Sequence, residues 1–248
     1  MLSEARVSKV GENNSLTVVI PAFDEEANLR WLIPEVLKEL RNLRSVESKI
    51  LVVMRADESD SSLSGVRSLG ASAIRRVGDN SFGSAIKTGI ASSLNSTTHI
   101  LFMDADGSHS PNTILKLWVT AIDTNADVVI ASRYTEGGST SNSFLQIQMS
   151  RILNLIYALV LGINVKDVST NFKIYKTSIF LGIVLKCKNY DIVEEMLLKT
   201  SRRNGPLKII EIPDHFEKRK FGESKRKLTL FIASYILTLF KLRFSKSS

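Results

Sequence analysis

The sequence predicts an α/β fold: a mostly parallel sheet flanked by helices, with an amphipathic helical segment near the C-terminal end. Short apolar runs at residues 16–20, 50–54, 100–103 and 127–131 alternate with stretches of helical periodicity. That alternation is the pattern of strand–helix–strand units. Several runs are apolar throughout, as in strands buried on both faces. The run at 100–103 ends abruptly in two carboxylates, and open α/β sheets bind ligands at the carboxyl ends of their strands.

Residues 16–20 form a β-branched run closed by Pro21, which reads as the first strand. A helix is expected from about residue 23 to 43. It has Asp24, Glu25 and Glu26 in its first turn, where negative charge suits the dipole. Leu29, Leu32, Ile33, Val36, Leu37 and Leu40 keep helical spacing, and Pro34 strains the interior. Residues 50–54 give a second strand, 57–62 a polar loop, 64–69 a short helix and 73–77 a third strand. Residues 82–89 read as a loop entering a helix that runs to about 94. Helix 112–122 follows strand 100–103, and strand 127–131 ends at Ser132, Arg133 and Tyr134. Beyond Gly137 and Gly138 come a long amphipathic helix at 144–161 carrying Arg151 and a polar loop at 167–175 leading to a strand. A Leu-rich helix at 191–200 and a late strand at 209–213 follow. The basic loop 218–227 precedes an apolar helix at 228–240. The expected organisation is an N-terminal extension (1–15), one domain (16–227) and a basic amphipathic tail (228–248).

The 248 residues are 44 % hydrophobic, enough for one large α/β domain or two small ones. The one cysteine, Cys187, excludes an internal disulfide framework and suits a reducing compartment. No apolar run reaches the roughly 18 residues of a membrane span, and residues 1–15 lack the apolar core of a signal peptide. The net charge is +8, with nine Lys or Arg against three acids after residue 213. An anionic partner is therefore expected: phosphates, a membrane face or nucleic acid. No stacking-aromatic or reading-helix motif supports nucleic acid. The 228–240 helix is too short to cross a bilayer and suits either an interface or packing on its own domain.

Residues 100–111 read Ile-Leu-Phe-Met-Asp-Ala-Asp-Gly-Ser-His-Ser-Pro. Asp104 and Asp106 thus lie on the ligand side of a strand end. Two like charges at close range resist joint ionisation. Mg²⁺ or Mn²⁺ removes that cost through oxygen ligands, while keeping waters and binding substrate phosphates. The alternative is a solvated loop whose aspartates cap the next helix.

Six stretches stand in a telling order. They are Val-Ile-Pro-Ala-Phe-Asp-Glu-Glu-Ala-Asn-Leu (19–29), Phe-Gly-Ser-Ala-Ile-Lys-Thr-Gly (82–89) and Met-Asp-Ala-Asp-Gly-Ser-His-Ser-Pro (103–111). Then come Ala-Ser-Arg-Tyr-Thr-Glu-Gly-Gly (131–138), Asp-Val-Ser-Thr-Asn-Phe-Lys-Ile-Tyr-Lys (167–176) and Arg-Lys-Phe-Gly-Glu-Ser-Lys (219–225). Together, over about residues 16–240, they resemble the family 2 inverting glycosyltransferases of GT-A (Rossmann-like) fold. The nearest likeness is to the dolichyl-phosphate mannosyltransferase and polyprenyl-phosphate branch. The resemblance implies a nucleotide-sugar donor, with GDP-mannose favoured over a UDP-hexose, and a divalent cation. It also implies a dolichyl or polyprenyl phosphate acceptor at the cytoplasmic membrane face, reached peripherally or through a membrane-protein anchor. By the same resemblance Pro21, Phe23 and Glu25 contact the nucleotide, and Asp104 and Asp106 hold the metal with Ala105 against the nucleotide. Ser108 stands where relatives carry a further ligand. Arg133 and Arg151 hold the acceptor phosphate, and Arg219 and Lys225 close over the donor diphosphate.

The pattern is broken in two places. Where the family shows Asp-Asp-x-Ser-x-Asp after the second strand, this chain has Arg55-Ala56-Asp57-Glu58-Ser59-Asp60. Either Asp57 substitutes in reading the base, or backbone groups hold it. Asn171 stands where relatives usually have Gly. A lipid phosphate is already anionic, so it needs positioning more than deprotonation, and Arg suits phosphate. Transfer to a glycan hydroxyl would instead need a carboxylate base near Glu194 or Glu195, acids that also suit a helix start. A donor-binding subunit without turnover is the non-enzymatic alternative. His99, His109 and His215 are read as structural.

Overall fold

The computed structural model describes residues 14–43 and 45–220. Most of the predicted N-terminal extension, Lys225 and the 228–240 helix lie outside the described residues. The elements are β1 (Ser15–Pro21), α1 (Glu26–Arg41), β2 (Glu47–Met54), α2 (Asp60–Ser68) and β3 (Ser72–Arg75). They continue with α3 (Phe82–Ser93), β4 (His99–Phe102), α4 (Thr113–Thr124), β5 (Val128–Ser132) and β6 (Ser139–Thr140). The last are α5 (Phe144–Leu161), β7 (Lys173–Lys176), α6 (Ile192–Asn204), β8 (Ile209–Pro213) and β9 (His215–Phe216).

Seven strands form one sheet in the order β3-β2-β1-β4-β7-β5-β8, and β6 pairs with β9 in a small separate ribbon. Every pairing in the large sheet is parallel except those of β7, which is antiparallel to both β4 and β5. The sheet is buried on both faces. Leu16, Val18 and Ile20 of β1 face one side, packed with Leu29, Ile33 and Val36 of α1 and Ile114 and Leu117 of α4. Val19 faces the other, with Ala85 and Ile86 of α3, Tyr157 of α5 and Met196 of α6. Alternate residues of one strand thus feed two cores, which is why the strands read as continuous apolar runs.

Several boundaries differ from expectation for identifiable reasons. α1 starts at Glu26, so Asp24 and Glu25 precede it and only Glu26 lies in the first turn. Asp24 takes a left-handed conformation (φ 56°) that turns the chain into the helix. Pro34 sits within α1 without ending it; the buried Leu32, Ile33 and Val36 around it pack the helix onto the sheet, and packing outweighs one lost bond.

The predicted loop at 82–89 is helical from its start. Ser81 caps α3 by accepting the Ser84 N–H at 3.2 Å. Its two glycines serve close approach. Gly83 donates its N–H to the Lys188 carbonyl at 2.6 Å, and a Cβ there would strike the backbone of Cys187 and Lys188. A Cβ at Gly89 would strike Val19 of β1.

One buried ion pair ties β5 to the approach of β7. Asp167 is fully buried and accepts from Arg133 Nε at 2.8 Å, Nη2 at 2.7 Å and backbone N–H at 2.9 Å. Burial pushes the Asp167 carboxyl up, but the charge and hydrogen bonds of Arg133 outweigh it and hold the group below the usual carboxylate range.

Two stability measurements check this packing. Gly89→Ala should overpack the α3–β1 contact and cost about 1–3 kcal/mol in urea denaturation. Asp167→Asn should cost about 3–5 kcal/mol at pH 7, since it leaves the Arg133 charge uncompensated. Because the folded carboxyl is depressed, its contribution is complete above the unfolded group's ordinary value and is lost as pH falls through the lower folded one. The acid limb of the stability curve should therefore flatten in Asp167→Asn.

Candidate functional site

β1, β2, β4, β5 and β8 run the same way, so their carboxyl ends open on one edge of the sheet. β7 runs against them, and its first residue, Lys173, pairs with Phe102 at the end of β4. The segment before β7 therefore arrives at the same edge, beside the two aspartates.

Asp104 and Asp106 follow β4 directly and are half-buried. Gly107 next to them has φ 76°, a left-handed turn that glycine tolerates. Asp106 Oδ1 accepts from the Ser108 N–H at 3.0 Å and its hydroxyl at 2.6 Å, while Oδ2 lies 3.8 Å from Arg219 Nε. Burial pushes the Asp106 carboxyl up, and Ser108, His109 and Arg219 more than offset it, leaving it below its ordinary range. Asp104 Oδ1 accepts from Asn171 Nδ2 at 3.0 Å, and its Oδ2 lies 4.0 Å from His109 Nε2. Each carboxylate thus has one oxygen held by a neighbouring side chain. The methyl of Ala105, between them, packs in the core. His109 is buried, accepts the Asp104 N–H at 3.2 Å and stacks on Phe172 with centroids 4.8 Å apart.

The segment after β9 lies across this turn. Glu217 donates its N–H to the Ser108 carbonyl at 2.9 Å and Lys220 to the Asp106 carbonyl at 3.0 Å. Lys220 Nζ sits 3.4 Å above the Trp31 ring. Arg219 pairs with Glu25, which also accepts from Asn28, so its guanidinium bridges Glu25 and Asp106. A cavity of about 320 Å³ lies alongside, lined by Ala22, Glu25, Ala27, Leu29 and Met54 among others.

Pro21 ends β1 and is buried, whereas Phe23 is exposed with Arg55 5.1 Å and Arg76 5.8 Å from its ring centroid. Arg55 pairs with Asp57 at 2.7 Å and Asp24 at 3.0 Å. Asp57 also accepts from Asn80 at 2.8 Å. The Arg55 and Asn80 hydrogen bonds hold its carboxyl well below the usual range. Buried Arg76, unremarked in the sequence, donates to carbonyls of Ala22, Met54, Asn80 and Ser81, joining the ends of β1 and β2 to the start of α3.

On the other side stand the two predicted arginines. Arg133 lies 5.0 Å from the Tyr134 ring centroid and Arg151, from α5, 5.5 Å. Phe216 joins the two halves of the site, with Arg133 5.4 Å and His109 5.6 Å from it. Asp104, Asp106, Glu25 and Arg219 thus form one group and Arg133 and Arg151 another, linked through aromatic rings. Glu194 and Glu195 belong to neither. Both are buried, and Glu195 accepts the Lys186 and Cys187 N–H groups and pairs with Lys199 at 2.8 Å. His215 bonds Ser139 and Ser141, and buried His99 packs edge-on to Trp118, its pKa lowered to about 4 by burial.

Comparison with known proteins places the chain in a family. The model of "Glycosyl transferase family 2" matches residues 17–183. Polyprenol monophosphomannose synthase of Mycolicibacterium smegmatis is 30 % identical over 127 residues, 50 % of this chain and 47 % of that protein. Undecaprenyl-phosphate mannosyltransferase of Micrococcus luteus is 33 % identical over 127 residues, 50 % of this chain and 51 % of that protein. The matched part thus spans about half the length of these relatives. Among solved structures, glucosyl-3-phosphoglycerate synthase from Mycobacterium tuberculosis with Mg²⁺ and uridine diphosphate superposes with a TM-score of 0.72 at 16 % identity, covering 100 % of this chain and 86 % of that one. Its complex with Mn²⁺, uridine diphosphate and glucosyl-3-phosphoglycerate gives 0.68 at 18 %, covering 99 % and 84 %. These structures share the fold. With a matching family model over most of its length, this chain belongs to glycosyl transferase family 2.

Proposed function

We propose that this chain is an inverting glycosyltransferase moving a hexose, with mannose favoured, from a nucleotide sugar to a polyprenyl or dolichyl phosphate at the cytoplasmic membrane face. The observation that carries this reading is the two-part edge. A carboxylate pair with its basic strap stands on one part and is assigned to the donor, and two arginines gathered on Tyr134 stand on the other and are assigned to the acceptor. The names of both relatives, a polyprenol monophosphomannose synthase and an undecaprenyl-phosphate mannosyltransferase, support the sugar and the lipid class.

The donor set suits Mg²⁺ or Mn²⁺. Asp104 and Asp106 offer hard carboxylate oxygens with the Ser108 hydroxyl beside them, and no cluster of three His, Cys, Asp or Glu occurs among the described residues. A cation that keeps waters and takes its remaining oxygens from a diphosphate needs only that. Bound there, the ion would supply Lewis-acid stabilisation of the departing nucleoside diphosphate. Ser108 would serve chiefly by fixing Asp106 Oδ1. Pro21, Phe23, Glu25, Asp57 and the Ala105 backbone would flank the nucleotide. Arg219, with Lys225 further along, would place positive charge where the leaving group becomes anionic.

On the acceptor side, Arg133 is pre-oriented by Asp167, and Arg151 would complete a clamp for the phosphate. In-line attack by the phosphate oxygen inverts the anomeric centre. α5, which carries Arg151, exposes Phe144, Leu145, Ile152, Leu155 and Leu159 to solvent. An apolar ridge beside a phosphate clamp suits a substrate that is itself half lipid. No helix among the described residues is long and apolar enough to cross a membrane. Glu195 is committed to the 186–187 backbone, which counts against it as the base for transfer to a glycan hydroxyl.

The test is a donor and acceptor screen: Mn²⁺ or Mg²⁺, radiolabelled GDP-mannose or UDP-hexoses, and a short polyprenyl phosphate. Label should move to the organic phase with GDP-mannose; donor hydrolysis without lipid labelling would refute the reading. Asp106→Ala should lower transfer at least about 100-fold with the fold intact. Arg151→Ala, a change at an exposed position, should raise the KM for the lipid phosphate about tenfold, the worth of one charged hydrogen bond, and leave the KM for the donor unchanged.

A further inference from the structure

Asn171 occupies a position where glycine would make no side-chain contact, and its amide reaches Asp104. Nδ2 donates to Asp104 Oδ1 at 3.0 Å, and the residue is only 5 % exposed. The amide orientation follows from chemistry, because turning it over would set its oxygen against a carboxylate oxygen.

The segment that presents it is fixed at several points. Lys173 donates its N–H to the Asn171 carbonyl at 2.9 Å. The buried Lys173 ammonium donates to the carbonyls of Val168, at 2.9 Å, and Thr170. Asp167 is locked onto Arg133. Phe172, fully buried, stacks within 7° of parallel on His109, which accepts the N–H of Asp104 itself. Residues 171 and 172 therefore hold Asp104 by its side chain and, through His109, by its backbone.

We propose that Asn171 is a positioning residue for the donor-diphosphate centre. By holding Oδ1 it sets the Asp104 carboxylate in one orientation and presents Oδ2 to a divalent cation. This rests on the metal–diphosphate reading of Asp104 and Asp106. Groups that hydrogen-bond a ligating carboxylate typically govern about 10–100-fold in metal affinity.

The test is Mn²⁺ binding to the full chain with GDP or UDP, followed by electron paramagnetic resonance, in the native protein, Asn171→Ala, the size-matched Asn171→Leu and Asp106→Ala. Both Asn171 variants should bind Mn²⁺ about tenfold more weakly or worse, while GDP and UDP affinity in excess chelator stays native. Native Mn²⁺ affinity in a folded Asn171 variant, with affinity lost in Asp106→Ala, would overturn this role and leave the centre's reading intact. An equal loss of metal-free nucleotide binding, or unfolding of both variants, would assign Asn171 to the fold and overturn it as well. If the native chain binds no Mn²⁺ with either nucleotide, the centre's reading falls and this role with it.

Discussion

Two carboxylates one residue apart at a strand end repel each other, and the surroundings of the site are shaped by that repulsion. Ser108 and Asn171 each take one oxygen, and Arg219 and His109 lie near the others. None of these neighbours cancels both charges outright. The result is a pair of carboxylates each held in one orientation, an arrangement that suits a small hard cation and a diphosphate together. The strap at 217–220 closes over the pair through two backbone hydrogen bonds, and the side chains of Arg219 and Lys220 add contacts to Glu25 and Trp31.

Most of the sheet was legible because its strands are buried on both faces, and continuous apolar runs as short as 16–20 and 50–54 suit a doubly covered strand better than a helix. The carboxylate pair was legible for the same reason: the apolar run stops where the charges begin. The helix at 144–161 was also foreseen, and Ser143 and Gln146 form a capping box that sharpens its start. Long-range contacts were not legible. Nothing local marks Arg76 as a knot between strand ends, or Asp167 as the buried partner of Arg133, 34 residues away. Glu195 looked like an acid at a helix start, whereas its carboxylate anchors a loop nine residues upstream. Asn171 showed only as a departure from a family pattern; its contact with Asp104 spans 67 residues.

The other departure has a physical counterpart too. Arg55 pairs with both Asp57 and Asp24 and lies against Phe23, making one bonded surface of the loop after β2. A guanidinium in that surface supplies hydrogen-bond donors where the family's paired acids supply acceptors. Asp57 remains exposed at its rim, with both oxygens already engaged by Arg55.

The reversed strand also bears on how the molecule must assemble. β7 lies between β4 and β5 in space but follows both in sequence, by 71 and 41 residues from their last positions at Phe102 and Ser132 to its own first residue at Lys173. On a ribosome, the amino-terminal half emerges with two apolar strands whose facing edges have no neighbour yet, and such edges pair readily with other chains. The gap between β4 and β5 closes only on a four-residue insert, so those two facing edges stay open until Lys176 is free to enter, and β8 then covers the other edge of β5.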